Sequence, residues 1–404
     1  MPAVPGRVLA GLLVTGVLSV PVSAQAPADP IERAPVQIGP LGLAPRIALT
    51  DFGVDTNVFN QFEDTRQDFT FTLSPMLDAS LRAGRSRLTV LTRTDLVYFQ
   101  KYSSERSLDG AVDSRFDVRG SRVSSWLTGT VESGRQRWGY EIDLRFRRVL
   151  NAFGGGADVR LGSRTRVGVI ARQNAYRHEQ DAEFLGSNLR DLLDRHTVAL
   201  GADLRYTLTP LTTAVVSAER GRDRFEFTSS RNANSWRVDT GLDLAPTALI
   251  AGRGRVGYRR LVGVGGDFPT FSGVVASVAA TSTIRGRARV EATTSRDVDY
   301  SWEISYPYYV LTGVTFVVTP QLTPRWDVRG RAGLQRLAYR AARGTPELLD
   351  DRVDRLQLFG AGIGYRIGRD VRVGIDTDQE RRQSPVRLRA YRGYRTGLSV
   401  TYGR

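Results

Sequence analysis

Residues 316–330 read FVVTPQLTPRWDVRG. Alternating apolar residues stop at Thr319-Pro320, a few polar residues pass, and alternation resumes at Trp326. From there Trp326, Val328, Gly330, Ala332 and Leu334 fall on one face, against Arg325, Asp327, Arg329 and Arg331 on the other. A period of two means a strand with one apolar and one polar face. The same pattern sets Val198, Leu200, Ala202, Leu204, Tyr206 and Leu208 against Asp203 and Arg205. It sets Trp236, Val238, Thr240, Leu242 and Leu244 against Arg237, Asp239 and Asp243, and Leu88, Val90 and Leu96 against Arg87, Arg93 and Asp95.

Eight connections between such runs are short: 82–86, 119–123, 161–165, 208–212, 244–248, 281–285, 318–323 and 367–371. Gly, Pro, Asp and Ser recur in them because tight turns need a positive φ or a preset φ near −65°. Between them lie longer polar stretches at 174–196, 259–270, 294–304 and 339–351. Short and long connections alternate, as in a transmembrane β-barrel with tight periplasmic turns and long outer loops. A sheet facing lipid must close on itself, because hydrocarbon leaves no water for unpaired N–H and C=O groups. The sequence therefore predicts an all-β chain: a transmembrane antiparallel up-and-down β-barrel of about 16–18 strands over 46–404. Both ends of the barrel lie on the periplasmic side, and 134–157 reads as a long outer hairpin. Trp236, Trp326, Tyr206, Tyr258 and Tyr402 sit at the ends of apolar faces, where interfacial aromatic girdles belong.

The chain has 404 residues, a formal charge of +15 and no Cys. Without Cys neither a disulfide nor a thiolate metal site can form. The start, with Arg7 before VLAGLLVTGVLSVPV and a small-residue VSA ahead of Gln25, reads as a signal peptide over 1–24. Residues 25–45, rich in Pro and Gly, read as a periplasmic linker. Basic residues are spread along the chain rather than blocked, which with export argues against nucleic acid as a partner.

The segment VDTNVFNQFEDTRQDFTFTLSPMLDAS (54–80) resembles the β-barrel porin families of Gram-negative outer membranes, which include barrels associated with exopolysaccharide biosynthesis. It carries an Asp-x-Asn-hydrophobic-Phe element (Asp55, Asn57, Val58, Phe59), then Asp68 before an alternating strand with a mid-strand Pro75. The chain ends LSVTYGR, with Tyr402 two residues short of the terminal aromatic usual in such barrels. The resemblance implies residence in the cell outer membrane among its lipids and lipopolysaccharide, insertion by the barrel-assembly machinery, and no cofactor. The function it implies is a porin-like channel for passive passage or export of small polar or anionic solutes or saccharides. The alternative is a plugged structural or surface-exposed barrel accessory to exopolysaccharide export.

Catalysis is not expected. His178 and His196, the only histidines, read as solvated residues of a loop and a strand start. The glycine runs GVGGD and FGGGAD precede no helix, so they are not phosphate loops. The informative polar set is the inward face. Its candidate pore-lining residues are Arg253, Arg255, Arg285, Arg287, Arg289, Arg325, Arg329, Arg331, Asp203 and Asp239, joined by Arg259, Asp243, Asp327 and Asp376. Counted from the sequence, the Arg rows occupy the twelfth, fourteenth and sixteenth strands. Either they belong to a mixed-charge network that keeps the lumen hydrated, or they favour anions, which Arg binds through bidentate contact.

Overall fold

The computed structural model describes residues 34–344 and 352–403. The expected signal peptide, the first part of the expected linker (25–33) and residues 345–351 lie outside the described residues. Eighteen long strands form one antiparallel sheet. The first nine are β1 (Leu41–Asp55), β2 (Asp68–Ala83), β3 (Ser86–Phe99), β4 (Ser107–Arg119), β5 (Val123–Gln136), β6 (Phe146–Arg160), β7 (Thr165–His178), β8 (Arg195–Thr209) and β9 (Thr212–Phe225). The second nine are β10 (Ala233–Leu244), β11 (Ile250–Gly263), β12 (Phe271–Ile284), β13 (Ala288–Tyr300), β14 (Tyr308–Pro320), β15 (Trp326–Arg340), β16 (Val353–Ile367), β17 (Val371–Gln383) and β18 (Tyr391–Tyr402). Each pairs with its sequence neighbours, and β18 pairs with β1, which closes the barrel.

All eight short connections join successive strands at one end of the barrel, the periplasmic end for this architecture. Four details differ from the sequence reading. The first strand starts at Leu41, and Val36–Ile38 folds back to pair with it, so residues 36–45 are sheet rather than linker. The turn placed at 281–285 is centred on Arg285 and Gly286, both at positive φ, because Thr281–Ile284 still fits the β12 alternation. The expected outer hairpin at 134–157 is a loop, 137–145, followed by β6. The Arg rows stand on the eleventh, thirteenth and fifteenth strands, one earlier than counted.

Two positions fix the register. Leu200 is 62% exposed, and Asp203, three residues on, is 4% exposed. Val198, Leu204, Trp236, Val238, Leu242 and Leu334 are exposed in the same outward phase, and half-buried Val328 shares the phase of Trp326 and Leu334. A molecule that exposes this much Leu and Val while fully burying Arg382 and Arg389 is polarised inside out relative to a protein surrounded by water. Aromatic side chains mark both rims of the apolar band. Trp236 packs against Tyr258 and Phe71 stacks on Tyr98 toward the outer end. Trp326 packs against Tyr365 at the periplasmic end, where Tyr206 and Tyr402 also face outward.

The β1–β18 seam is tight. A Cβ on Gly53 would sit 2.0 Å from the Thr396 carbonyl oxygen, so only glycine fits there. The motif residues of the first loop brace this seam. Asp55 accepts from Arg395 of β18 at 2.6 Å. Buried Asn57 donates its backbone N–H to Asp55 and its side-chain N–H to the Arg392 carbonyl. Asp68 accepts backbone N–H bonds from Lys101 and Tyr102, fixing the next loop. Pro75 interrupts the β2–β3 ladder, whose pairing skips from Leu73 to Met76.

Leu200→Arg, at a mid-strand position facing lipid, is expected to cost about 2–4 kcal/mol in refolding titrations. Asp203→Asn is also expected to destabilise, against the tolerance expected of an ordinary lumen position. Asp203 is paired with buried Arg205 at 2.6 Å, and its loss leaves that guanidinium without its carboxylate. An epitope inserted at Gly186, an open positive-φ site in the β7–β8 loop, is expected to be reached by antibody on intact cells. One inserted at Pro210 is expected to be reached only after permeabilisation.

Candidate functional site

The lumen is not uniform along its axis. Its periplasmic half holds a cavity of about 450 Å³, bordered by β1–β5, β13–β15, β17 and β18. Arginines outnumber carboxylates eleven to nine around it, which leaves a small positive excess. Most of these charges are neutralised within the wall by a repeated device. Residues i and i+2 of a strand share a face, and Arg-x-Asp pairs close on themselves there: Arg93–Asp95 at 2.6 Å, Arg115–Asp117 at 2.7 Å and Arg237–Asp239 at 2.6 Å. Asp203–Arg205 runs in the opposite order, and Arg289–Glu291 substitutes Glu, both at 2.6 Å. This spacing is plain in the sequence. It was missed because Arg and Asp were counted as rows rather than as neighbours on a face.

The sequence candidates separate into three groups. Arg287, Arg289, Arg329 and Arg331 border the cavity, with Arg289 held by Glu291 and Arg331 by Asp378. Arg255 faces inward but is bound to Asp243 at 2.5 Å and to the Leu242 and Gly254 carbonyls. Asp203 and Asp239 are held by Arg205 and Arg237, Arg259 by Asp297 at 2.7 Å, and Arg253 lies partly buried on the same face of β11. Arg285 and Arg325 are not on a strand face; they sit exposed in periplasmic turns, Arg325 donating to the Tyr365 hydroxyl at 3.3 Å. Asp327 takes Arg372 at 2.6 Å, and Asp376 accepts from Ser399.

The outer half is filled by the barrel's own loops. The loop 137–145, the loop 179–194 with its short helix α1 (Leu189–Leu193), and the loop 301–307 meet around Trp138, Ile142, Leu189, Leu192, Leu193 and Trp302. A second cluster joins Phe268 to Tyr308 and Leu261, and a third joins Tyr306 to Tyr309 and Tyr339. Buried arginines tie the loops to the wall through carbonyl groups that would otherwise lack partners. Arg382 donates to Asp354 at 2.5 Å and to the Tyr140 and Glu141 carbonyls. Arg231 donates to the Leu192 and Pro307 carbonyls, and Arg389 to that of Glu141. His178 belongs to this assembly rather than to solvent. It is buried at the end of β7, with Nδ1 2.7 Å from an Asp194 carboxylate oxygen that also takes its backbone N–H. His196 is half-buried in the outward phase of β8. Among the described residues no cluster of three or more His, Asp or Glu could hold a metal ion.

Glu141 is the centre of the loop assembly. Ser301 Oγ donates to one of its carboxylate oxygens at 2.5 Å, and the Trp302 N–H donates to the other at 3.1 Å. Burial pushes its carboxyl up to about 7, against the hydrogen bonds and the Arg389 charge that favour ionisation. An acid raised from about 4.5 in the unfolded loop favours the packed loops most below that value. The advantage is lost as pH rises from 4.5 through 7. Hydrogen exchange at the Ser301 and Trp302 amides is therefore expected to be slowest near pH 4 and to weaken toward pH 8, once corrected for intrinsic rates. The change is at most about 1.4 kcal/mol per pH unit. Glu141→Gln should flatten that dependence.

A family model described as "Putative beta-barrel porin 2" matches residues 29–404. No curated protein is matched. Among solved structures, the chain is similar to a BenF-like porin from Pseudomonas fluorescens at 10% identity, covering 89% of this chain and 98% of that one, with a TM-score of 0.48. It is similar to the outer membrane protein OpdK of Pseudomonas aeruginosa at 10% identity, covering 90% and 98%, with a TM-score of 0.46. OpdO of the same species gives 12% identity over 90% and 97%, with a TM-score of 0.46. The closed barrel with its lipid-facing band and polar interior lies in the outer membrane, and with a match over nearly its whole length the chain belongs to the family described as putative beta-barrel porin 2.

Proposed function

We propose that this barrel passes small polar solutes across the outer membrane and prefers anions. The observation that carries this reading is the wide periplasmic cavity with its excess of arginine over carboxylate. Arg287 and Arg369 are exposed there without an ion-pair partner among the described residues. In a narrow pore with low-dielectric walls, such an excess raises the local anion concentration more than the same charges would on an open surface. The internal pairing of most other arginines makes the preference modest.

A second reading has its own support. The three apolar clusters fill the outer half as a plug would, which suits a barrel whose loops act at the cell surface, including one accessory to exopolysaccharide export. Planar-bilayer recording separates the two. The purified protein is expected to conduct, with a reversal potential that favours chloride over potassium by a few-fold. Arg287, Arg289 and Arg329 changed together to Gln should bring that ratio to or below one. Cation preference in the unmodified protein would overturn the anion reading, and absence of current would favour the plugged barrel.

A further inference from the structure

A second cavity of about 440 Å³ opens in the outer half, between the β1–β2 loop, the loop 137–145, the loop 179–194 and the residues before β18. This is the size of a small-molecule site. Phe59, Phe62, Leu144, Phe184, Leu185 and Leu388 give it an apolar lining. Its charges are four arginines and three carboxylates, and each carboxylate is taken. Glu63 pairs with Arg387 at 2.5 Å, Asp143 with Arg389 at 3.3 Å, and Glu105 with Arg145 at 3.7 Å. Arg137 is the remainder. Its guanidinium donates only to carbonyl oxygens, of Asp143 at 2.6 Å and Val58 at 2.5 Å, and no carboxylate lies within ion-pair distance of it among the described residues.

Two residues line both this cavity and the periplasmic one, and they are Arg137 and Arg145. They bound the loop 137–145 at its two ends, so both are positioned by the strands that flank it. Arg145 is buried, anchored on the Glu105 and Arg135 carbonyls at 2.8 Å each and set over the Phe99 ring. Burial pushes its guanidinium down to about 10, and the positive charge of Arg137 adds to the effect. It stays protonated at neutral pH, so two like charges face the junction with one distant carboxylate between them. An anion placed there would relieve that repulsion and gain bidentate hydrogen bonds.

We infer that the outer cavity captures a small carboxylate with an apolar body, and that Arg137 and Arg145 are the gate that hands it to the lumen. The apolar wall receives the body and the arginine pair receives the charged head. The inference rests on the channel reading above and adds to it the place of entry and the class of solute.

The absence of native cysteine makes the test clean. In planar bilayers carrying the purified protein, hexanoate is the probe and hexylammonium, of like length and opposite charge, is the control. Hexanoate is expected to interrupt the chloride current in discrete blocks, and hexylammonium is not. Arg137→Gln should weaken the hexanoate block by about tenfold or more, the loss usual for a hydrogen bond to a charged group. Phe62 is 43% exposed and can be changed without touching the arginines. Phe62→Cys should lose most of its current when a bulky thiol reagent is attached. If the protein conducts but hexanoate and hexylammonium act alike, or the labelled Phe62→Cys channel conducts as before, the gate is overturned and the channel reading stands. If the unmodified protein carries no current, the channel reading fails and the gate falls with it.

Discussion

The constraint on which everything else depends is that a backbone facing hydrocarbon has no water to pair with. Every N–H and C=O in the lipid-exposed wall must find its partner in the sheet, and a sheet has no free edge only when it is closed. Strand lengths of 12–16 residues follow, since a tilted strand rising about 3.3 Å per residue needs that many to cross the apolar band with its rims. So do the one-sided alternation, the exposed Leu and Val, and the interior crowded with charge.

The interior then meets a second problem. A barrel of this girth cannot fill its lumen with wall side chains alone. The two halves answer differently. Below, the wall keeps polar residues hydrated and neutralises them locally through Arg-x-Asp pairs along single strands. Above, loops from opposite sides of the ring fold inward and build a small core of their own. Buried arginines staple that core through loop carbonyls. Arginine suits this work because its planar fork reaches several acceptors at once and keeps its charge when buried. That accounts for an interior in which lysine is nearly absent while arginine is abundant.

The fold was legible because its determinants are local. Trp326 through Leu334 declare a strand and its faces within nine residues, and Thr319-Pro320 declares the turn before it. Strand count, closure and sidedness follow from such segments by addition. The errors were also local: five residues at Leu41, three at Ile284, one in the numbering of the Arg rows. The site was less legible because its contacts are not local. Glu141 meets Ser301 across 160 positions and Arg382 meets the Glu141 carbonyl across 241, and no period relates such residues. His178 shows the same limit, since its partner Asp194 lies 16 residues on, beyond the loop that buries them both. The Arg-x-Asp pairs are the exception, local in sequence and visible to anyone who asks what shares a face with each arginine.

The seam carries a consequence for time rather than for structure. Asp55 and Arg395 are 340 positions apart, yet they bridge adjacent strands. Until β18 has emerged, β1 has one unpaired margin and no means of acquiring its mate. The ring is thus completed by the final segment to be synthesised, and a chain arrested earlier presents two raw borders to its surroundings. The glycine contact at Gly53 and the Asp55–Arg395 bridge act as a latch that engages last. The finished cylinder is sealed in one concerted step, and its resistance to opening resides in two strands that were the farthest strangers in the chain.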